Sequence, residues 1–194
     1  MWAVVGLGNP GKQYARTRHN VGFVFVRSVA KAWGVRLKKS SFSSKIRWTD
    51  RGGKRILLAT PQTYMNNSGL AIRQIVDSGG IAIEHLVIVY DDLDIPLGDI
   101  RIRKEGGAGT HKGMSSIVRE LGIGLFPRIR VGIGPLPPDV DATDFVLSAF
   151  LDEEKPLLEQ GLNSAMKALD LILQEQIETA MNLYNQRTRS DEER

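Results

Sequence analysis

Short apolar runs of strand length alternate along this chain with segments whose apolar residues recur at helical spacing. The run from Trp2 to Val5 ends in glycines, and helical spacing follows from Val21 to Trp33. Leu86 to Tyr90 is another apolar run, and residues 113 to 121 are helical in pattern. Continuous apolar runs are typical of strands buried on both faces. The alternation predicts an α/β fold with three α/β/α layers around one mostly parallel, mixed and twisted sheet.

Further segments extend this pattern. They are a β-hairpin from Ile46 to Trp48 and from Arg55 to Ala59, a helix capped at Asn67 or Ser68, and strands at Ile100 to Arg103 and Ile129 to Ile133. An apolar stripe from Pro156 to about Leu173 predicts a long amphipathic helix that packs on the sheet. The residues after about 185 are polar and charged, which is typical of a frayed tail. A length of 194 residues suits a single domain over residues 1–194.

The first glycines spell G-x-G-x-x-G after the opening strand, as in dinucleotide-binding turns. Such a turn opens directly into a helix and is followed about 20 residues later by an acidic residue. Here Lys12-Gln13-Tyr14 stands where the helix should begin, and the first acidic residue is Asp50. We therefore interpret the glycines as a tight turn that presents Asn9, with no side chains crowding a ligand backbone.

Polar residues that can take part in catalysis or ligand binding follow three predicted strands. The first strand leads to Asn9 and then His19, the strand at Ile56 to Ala59 leads to Asn66, and Leu86 to Tyr90 leads to Asp91. Ligands of open α/β sheets bind beyond the carboxyl ends of the strands. If these three strands are parallel neighbours, the polar residues converge on one cleft.

His19 and Asp91 can form a catalytic pair in that cleft. An imidazole takes up protons near neutral pH, and a carboxylate on one ring nitrogen leaves the other free to deprotonate water. The alternative is structural, with Asp91 capping a turn and His19 capping a helix. Without cysteine, the chain has neither disulfides nor thiolate chemistry.

The run Asp91-Asp92-Leu93-Asp94 offers a different chemistry, because three carboxylates can hold Mg²⁺ for a nuclease or phosphoryl transfer. Consecutive residues of an extended chain point to opposite faces, so one ion would capture only some of them. The sequence has no pair of histidines at the spacing that is typical of zinc sites. We predict no metal site.

The positive charge is concentrated at one end of the sequence. Residues 1–49 contain ten Lys or Arg and no acidic residue, a net +10, whereas the other 145 contain sixteen basic and twenty-two acidic residues, a net −6. A one-sided basic field favours a polyanion such as RNA, although a solvated basic surface is also consistent with it. No apolar run is long enough to span a bilayer, and no signal-peptide pattern begins the chain, so we expect a cytoplasmic protein without membrane contact.

Four ordered motifs, VVGLGNPGKQYARTRHNVGF, PQTYMNNSG, VYDDLDIPLG and GGAGTHKGMSSI, closely resemble those of the bacterial peptidyl-tRNA hydrolase family from residue 1 to about 150. The resemblance implies hydrolysis of the ester between a peptide and the 3′-ribose of tRNA, with no metal or cofactor. It implies that His19 is the general base, that Asp91 polarises it, and that Asn9 distinguishes N-blocked substrates. In the family pattern Tyr14, Asn20, Tyr64 and Asn66 line the substrate site, and Arg101, Arg103 and Arg130 contact tRNA phosphates.

One departure concerns the residue after His111, where the family commonly has Asn and this chain has Lys112. Lys has no acceptor to replace the amide oxygen, so we expect Lys112 to meet a phosphate or ribose oxygen instead. The alternative function is a non-catalytic RNA-binding protein on the same fold, resembling plant organelle splicing cofactors. Retention of Asn9, His19, Asn66 and Asp91 together favours the enzyme, which we expect to be monomeric without an obligate protein partner.

Overall fold

The structure, a computed structural model, describes residues 1–185. The predicted charged tail after residue 185 lies outside the described residues. Within them the strands, β1 to β7 in chain order, are Trp2–Gly6, Lys39–Ser41, Ser44–Arg51, Lys54–Pro61, Leu86–Pro96, Ile100–Arg103 and Arg128–Gly134. The α-helices, α1 to α6, are Val21–Ala32, Ser68–Gly79, Lys112–Leu121, Ala142–Leu147, Lys155–Leu173 and Ile177–Tyr184.

The strands form one sheet in the order β2-β3-β4-β1-β5-β7-β6. The central strands β4, β1, β5 and β7 are parallel, and antiparallel pairs flank them on both sides. Five of the seven strands therefore point the same way, as expected for a mostly parallel mixed sheet. The neighbours β4, β1 and β5 bring their carboxyl ends to one edge, so the condition for a common cleft is met.

Helices cover both faces of the sheet and confirm the three-layer α/β/α prediction. One core includes Val4 and Val89 of the sheet with α1 and α5, and the other includes Val5 and Ile88 with α2 and α3. Successive residues of β1 and β5 thus enter opposite cores, which explains why both strands read as continuous apolar runs. No helix within residues 1–185 is long and apolar enough to cross a membrane.

The glycines of the first loop allow α1 to pack closely against it. A Cβ on Gly6 would lie 1.9 Å from the carbonyl oxygen of Gly22, and one on Gly8 would lie 2.7 Å from the Phe23 ring. Close packing against α1 therefore requires glycine at these two positions, and access for a ligand backbone stays a prediction. The hairpin turn at Gly52 and Gly53 has positive φ at both positions, as a two-residue connection favours.

Candidate active site

A cavity of about 740 Å³ opens at the edge where β1, β4 and β5 end. It brings together most of the predicted site residues: Asn9, His19, Tyr64, Asn66, Asp91, Arg103, Lys112 and Arg130. Three others, Tyr14, Asn20 and Arg101, are not among the lining residues. Elements far apart in the sequence therefore supply one concave site of the size that small-molecule and peptide ligands use.

The His19 imidazole is hydrogen-bonded to the Asp91 carboxylate. Nδ1 of His19 lies 2.8 Å from Oδ2 and 2.9 Å from Oδ1, although the residues are 72 positions apart. His19 sits in a short 3₁₀ turn directly before α1, and Asp91 lies within β5. A carboxylate only accepts, so Nδ1 carries the proton and Nε2 is left with a free lone pair. This is the tautomer that a general base requires.

Asp91 is 3% exposed and accepts hydrogen bonds from two histidines. Burial alone would raise the pKa of its carboxyl. The neighbouring His111 and His19 lower this pKa by more than burial raises it, so the net pKa lies well below the usual value. The carboxyl is therefore ionised throughout the neutral range.

His111 is a site residue that sequence reasoning missed. It is the N-cap of α3, where its Nδ1 accepts from the backbone N–H of Met114 at 3.2 Å. Its Nε2 consequently carries a proton and donates to Oδ1 of Asp91 at 3.1 Å. The Tyr90 ring packs beside it, with 4.9 Å between ring centroids. The signal was available, because His111 is one of only three histidines and follows a glycine cluster.

His19, Asp91 and His111 lie close enough to share a metal ion, since their ligand atoms fall within 4.8 Å of one another. Their hydrogen bonding disfavours this use. The proton on His111 Nε2 faces the carboxylate, and Nδ1 cannot take that proton because it accepts from a backbone N–H. The three side chains fit a proton-sharing arrangement better than a metal centre.

The carboxylates of the run from Asp91 to Asp94, which the sequence offers as an alternative Mg²⁺ site, bond to separate partners. Asp91 faces the two histidines, whereas Oδ2 of Asp92 accepts from Nε of Arg130 at 2.6 Å. Oδ1 of Asp92 accepts from the backbone N–H of Asp94 at 3.0 Å. Asp91 and Asp92 therefore bond to different partners, and within residues 1–185 the run does not assemble into one oxygen-ligand cluster.

Asn9 is held rigidly at the cavity wall. Both amide atoms of Asn20 bond to its backbone, with Oδ1 accepting from Asn9 N–H at 2.8 Å and Nδ2 donating to Asn9 C=O at 2.9 Å. The side-chain oxygen of Asn9 accepts from Met65 N–H at 2.8 Å. Asn9 therefore offers its Nδ2 donor to a ligand. Asn20 is 1% exposed and lies behind Asn9, so the structure does not bring it to the predicted substrate surface.

The predicted aromatic contacts form part of the rim. Tyr64 is 55% exposed and lines the cavity with the exposed amide of Asn66. Tyr14 lies edge-to-face against Tyr64, with 6.5 Å between ring centroids. Tyr14 thus supports the rim without lining the cavity itself.

The three predicted phosphate contacts differ in how free their charge is. Arg130 is paired with Asp92, and Arg101 lies 3.8 Å from Asp99 and donates to the carbonyl of Ile100 at 2.7 Å. Arg103 is exposed and, within residues 1–185, has no carboxylate partner. Of the three, Arg103 is the one with an unneutralised charge at the cavity.

Two buried arginines that were not predicted from the sequence stabilise the segments that form the walls of the cavity. Arg128 is 2% exposed and donates to the carbonyls of Gly107 and Gly124 at 2.8 and 2.9 Å, which anchors the glycine loop before His111. Arg18 pairs with Glu154 at 2.7 Å and stacks on Phe145, a residue of α4. Helix α4 supplies the apolar side of the cavity through Val146 and Leu147.

Known proteins resemble this chain over almost its whole length. A family model described as peptidyl-tRNA hydrolase matches residues 3–192. Proteins named peptidyl-tRNA hydrolase are similar at 46% identity in Chloroflexus aurantiacus, over 95% of this chain and 99% of that protein, and at 40% in Bacillus subtilis, over 95% and 98%. The crystal structure of peptidyl-tRNA hydrolase from Acinetobacter baumannii superposes with a TM-score of 0.89 at 36% identity, over 95% of this chain and 94% of that one.

Proposed function

Because this chain belongs to the peptidyl-tRNA hydrolase family, we propose that it cleaves the ester between the peptide and the 3′-ribose of tRNA and that His19 is its general base. The observation that carries the residue assignment is the bond from His19 Nδ1 to Asp91, which leaves Nε2 unprotonated at the wall of a large cavity. Hydrolysis releases free tRNA, which can be charged again.

The reaction begins when Nε2 of His19 takes a proton from water and the oxygen attacks the ester carbonyl. The resulting imidazolium is stabilised by Asp91, which stays ionised while the tetrahedral intermediate forms. The intermediate breaks at the bond to the ribose 3′-oxygen, and that oxygen receives the proton held by Nε2. The products are a peptide acid and a tRNA with a free 3′-hydroxyl, and His19 returns to its neutral form.

His111 and Asn20 act as positioning residues in this proposal. His111 donates to Asp91 and fixes the carboxylate that orients His19, while Asn20 fixes the backbone of Asn9. A base held in one rotamer and tautomer loses less free energy in reaching the reactive geometry.

Substrate recognition falls to the amides at the wall and rim. Asn9 donates from Nδ2 to a substrate carbonyl, and the exposed Asn66 offers both a donor and an acceptor to the peptide unit. A free aminoacyl group lacks that peptide unit and leaves these groups unpaired, which disfavours it. Tyr14 and Tyr64 shape the rim, and Lys112 contacts a phosphate or ribose oxygen.

Arg103 contacts the phosphates next to the ester, with Arg130 and Arg101 beside it. We further propose that residues 1–194 form one domain, which acts as a monomer without an obligate protein partner and without a metal or cofactor. We place the activity in the cytoplasm, where the ribosomes that produce the substrate work.

The decisive experiment incubates purified protein with N-acetylated and with free aminoacyl-tRNA, each with and without EDTA. We expect cleavage of the acetylated form in both conditions and much slower cleavage of the free form. His19→Ala is expected to lower kcat by about 10²–10⁴-fold, the usual contribution of a general base, with tRNA binding retained. Undiminished turnover by His19→Ala would reject the base assignment. Loss of cleavage in EDTA would favour a metal-dependent reaction, and tRNA binding without any cleavage would favour the non-catalytic RNA-binding function.

A further inference from the structure

Arg18, the residue directly before His19, makes its contacts with the segment that contains α4. It begins the 3₁₀ turn Arg18–Asn20 and is 4% exposed, but it is not among the residues that line the cavity. Its guanidinium stacks on two aromatic rings, with Cζ at 4.5 Å from the centroid of Phe145 and 4.8 Å from that of Phe150. The side chain therefore acts on the far side of α4 and does not face the substrate.

Hydrogen bonds of the backbone and of the side chain join the same two segments. The N–H of Arg18 donates to the carbonyl of Ser148 at 2.9 Å, and Nε of Arg18 donates to the Ser148 hydroxyl at 3.2 Å. Thr17 forms an isolated antiparallel β-bridge with Ala149. The residues that follow α4 are thereby attached to the turn that carries His19.

Glu154 neutralises the buried charge of Arg18. Its Oε2 accepts from Nη2 of Arg18 at 2.7 Å and from the N–H of Leu151 at 2.7 Å. Partial burial raises the pKa of Glu154, but the bonds to Arg18 and Leu151 lower this pKa by more, so the carboxyl is ionised at neutral pH. One carboxylate thus ties Arg18 to the residues directly before α5.

Helix α4 has little buried surface of its own. Among residues 135–157 Phe145 is the only buried residue, and it packs on the guanidinium of Arg18. A segment that buries so little apolar surface is held weakly by its own packing. The contacts with Arg18 therefore make a large contribution to the position of α4.

The side of α4 that faces the cavity is largely aliphatic. Its apolar lining residues are Ala142, Val146 and Leu147, and none of the α4 residues that line the cavity is aromatic. Nucleic-acid bases stack on aromatic rings, whereas an aliphatic wall suits an apolar side chain of a peptide. The turn to which α4 is attached also carries His19, the proposed base, which acts at the ester carbonyl. The side chain of the esterified amino acid stands on the carbon next to that carbonyl, so it lies within reach of this wall.

We propose that Arg18 is a positioning residue, which holds the aliphatic side of α4 where it receives the side chain of the esterified amino acid. This inference rests on the proposed function. A large apolar side chain gains burial against Val146 and Leu147, whereas glycine has no side chain to bury. The protein therefore cleaves the esters of large apolar amino acids with a higher kcat/KM than the glycyl ester, and Arg18 maintains this difference.

The test measures the ratio of kcat/KM for an N-acetylleucyl ester to that for an N-acetylglycyl ester, both on the same tRNA. We expect a ratio of about 10 for wild type, which is the usual order for burial of an aliphatic side chain in a pocket. Arg18→Met removes the charge and all donors of the side chain and should lower the ratio several-fold. Arg18→Lys keeps a charge for Glu154 and should recover part of it.

Truncation of the wall itself gives an independent measurement. Leu147→Ala should also lower the ratio of leucyl to glycyl cleavage, since it removes part of the aliphatic surface. When Leu147→Ala is combined with Arg18→Met, the losses in the ratio should be less than additive, because both changes remove the same contact. Fully additive losses would show that Arg18 does not act through α4.

Lys54→Met is the matched control. Lys54 also pairs with a glutamate, Glu175, at 2.8 Å and lies over an aromatic ring, that of Trp2, but it does not line the cavity. The control should leave the ratio unchanged.

Thermal unfolding shows whether Arg18→Met is folded at the assay temperature. If it is not, Glu154→Gln replaces it, since this variant keeps an acceptor for the N–H of Leu151 but removes the charge that pairs with Arg18. Glu154→Gln should lower the ratio in the same direction.

Three further results would overturn the inference. They are equal cleavage of both esters by wild type, an unchanged ratio in the folded variant, even where activity on both esters falls, or an equal fall of the ratio in the control. Wild-type protein that cleaves neither ester would instead reject the proposed function, so the two failures are distinguishable.

Discussion

His111 donates from Nε2 to Oδ1 of Asp91 across 3.1 Å, and the same carboxylate accepts from Nδ1 of His19. One buried anion thus orients the proposed base while a second imidazole fixes the anion. A backbone hydrogen bond fixes the tautomer of His111. Its Nδ1 accepts from the N–H of Met114 at the start of α3, so the proton of the ring is on Nε2. The first turn of α3 and the proposed catalytic pair are thereby coupled through the imidazole of His111.

Replacing His111 tests this coupling. His111→Leu removes the donor, and because a hydrogen bond to a charged group contributes about 1.5–3 kcal/mol, we expect kcat to fall about 10-fold or more. KM should change little, since the donor faces Asp91. Steady-state kinetics on N-acetylaminoacyl-tRNA measure both constants. His111→Gln retains an N–H donor and is expected to recover part of kcat, whereas equally low kcat in both variants would contradict a role through the donor.

The stability of the protein should depend on Asp91 in a pH-dependent way. The pKa of Asp91 is lowered on folding, against its burial, by His111 and His19. A lowered folded-state pKa adds stability that is present above the unfolded value of about 3.9 and is lost as the pH falls through the folded value. We therefore expect the free energy of unfolding of wild type to exceed that of Asp91→Asn at neutral pH.

That difference should shrink on acidification below about pH 4, where the unfolded carboxyl becomes protonated. Urea unfolding of both proteins at a series of pH values measures it. A difference that stays constant from neutral to acidic pH would show that Asp91 contributes through packing and not through its charge.

The sheet could be predicted because its central strands are buried on both faces. Continuous apolar runs at β1 and β5 identify such strands without knowledge of their neighbours. Other elements depend on distant partners. β5 continues past Tyr90 to Pro96 because Asp91 and Asp92 pair with residues of β7, and an acidic run gives no local sign of a strand. The short helix α4 was missed because it follows a proline-rich loop, although Asp141 caps its first turn at 2.8 Å.

The position of a candidate site residue could be predicted where that residue directly follows a strand. The use of a residue could not be predicted where it depends on a side chain or backbone group elsewhere in the chain. Asn20 stands next to His19 in sequence, yet both of its amide atoms are used on the backbone of Asn9. Similarly, the charge of Arg130 is neutralised by Asp92, which depends on how β5 and β7 pair. The sequence contains each of these residues, but only the register of the strands and loops assigns their partners.

Asn20 should affect catalysis only through Asn9. Asn20→Ala leaves the N–H and C=O of Asn9 without their partners, at a cost of about 1–3 kcal/mol for each buried unsatisfied group. We expect a lower unfolding temperature and a lower kcat/KM for N-acetylaminoacyl-tRNA. In a double-mutant cycle with Asn9→Ala, the loss of kcat/KM should be less than additive, because both changes disable one donor. Fully additive losses would indicate that Asn20 has a separate contact with the substrate.

Lys112 occupies the position where the sequence departs from the family pattern, and its replacement tests what the lysine does there. It is the exposed first residue of α3, lines the cavity beside His111, and within residues 1–185 has no ion-pair partner. An Asn at this position would add an amide acceptor and remove a cation from a helix N-terminus, where positive charge is unfavourable. We therefore expect Lys112→Asn to retain or lower KM for N-acetylaminoacyl-tRNA, with kcat unchanged because the bonds between His19, His111 and Asp91 are untouched. Lys112→Ala is the control, since it removes the charge without adding an amide and should not lower KM. A large rise in KM for both variants would contradict this expectation and would show that the contact of the ammonium group with the substrate is essential for binding.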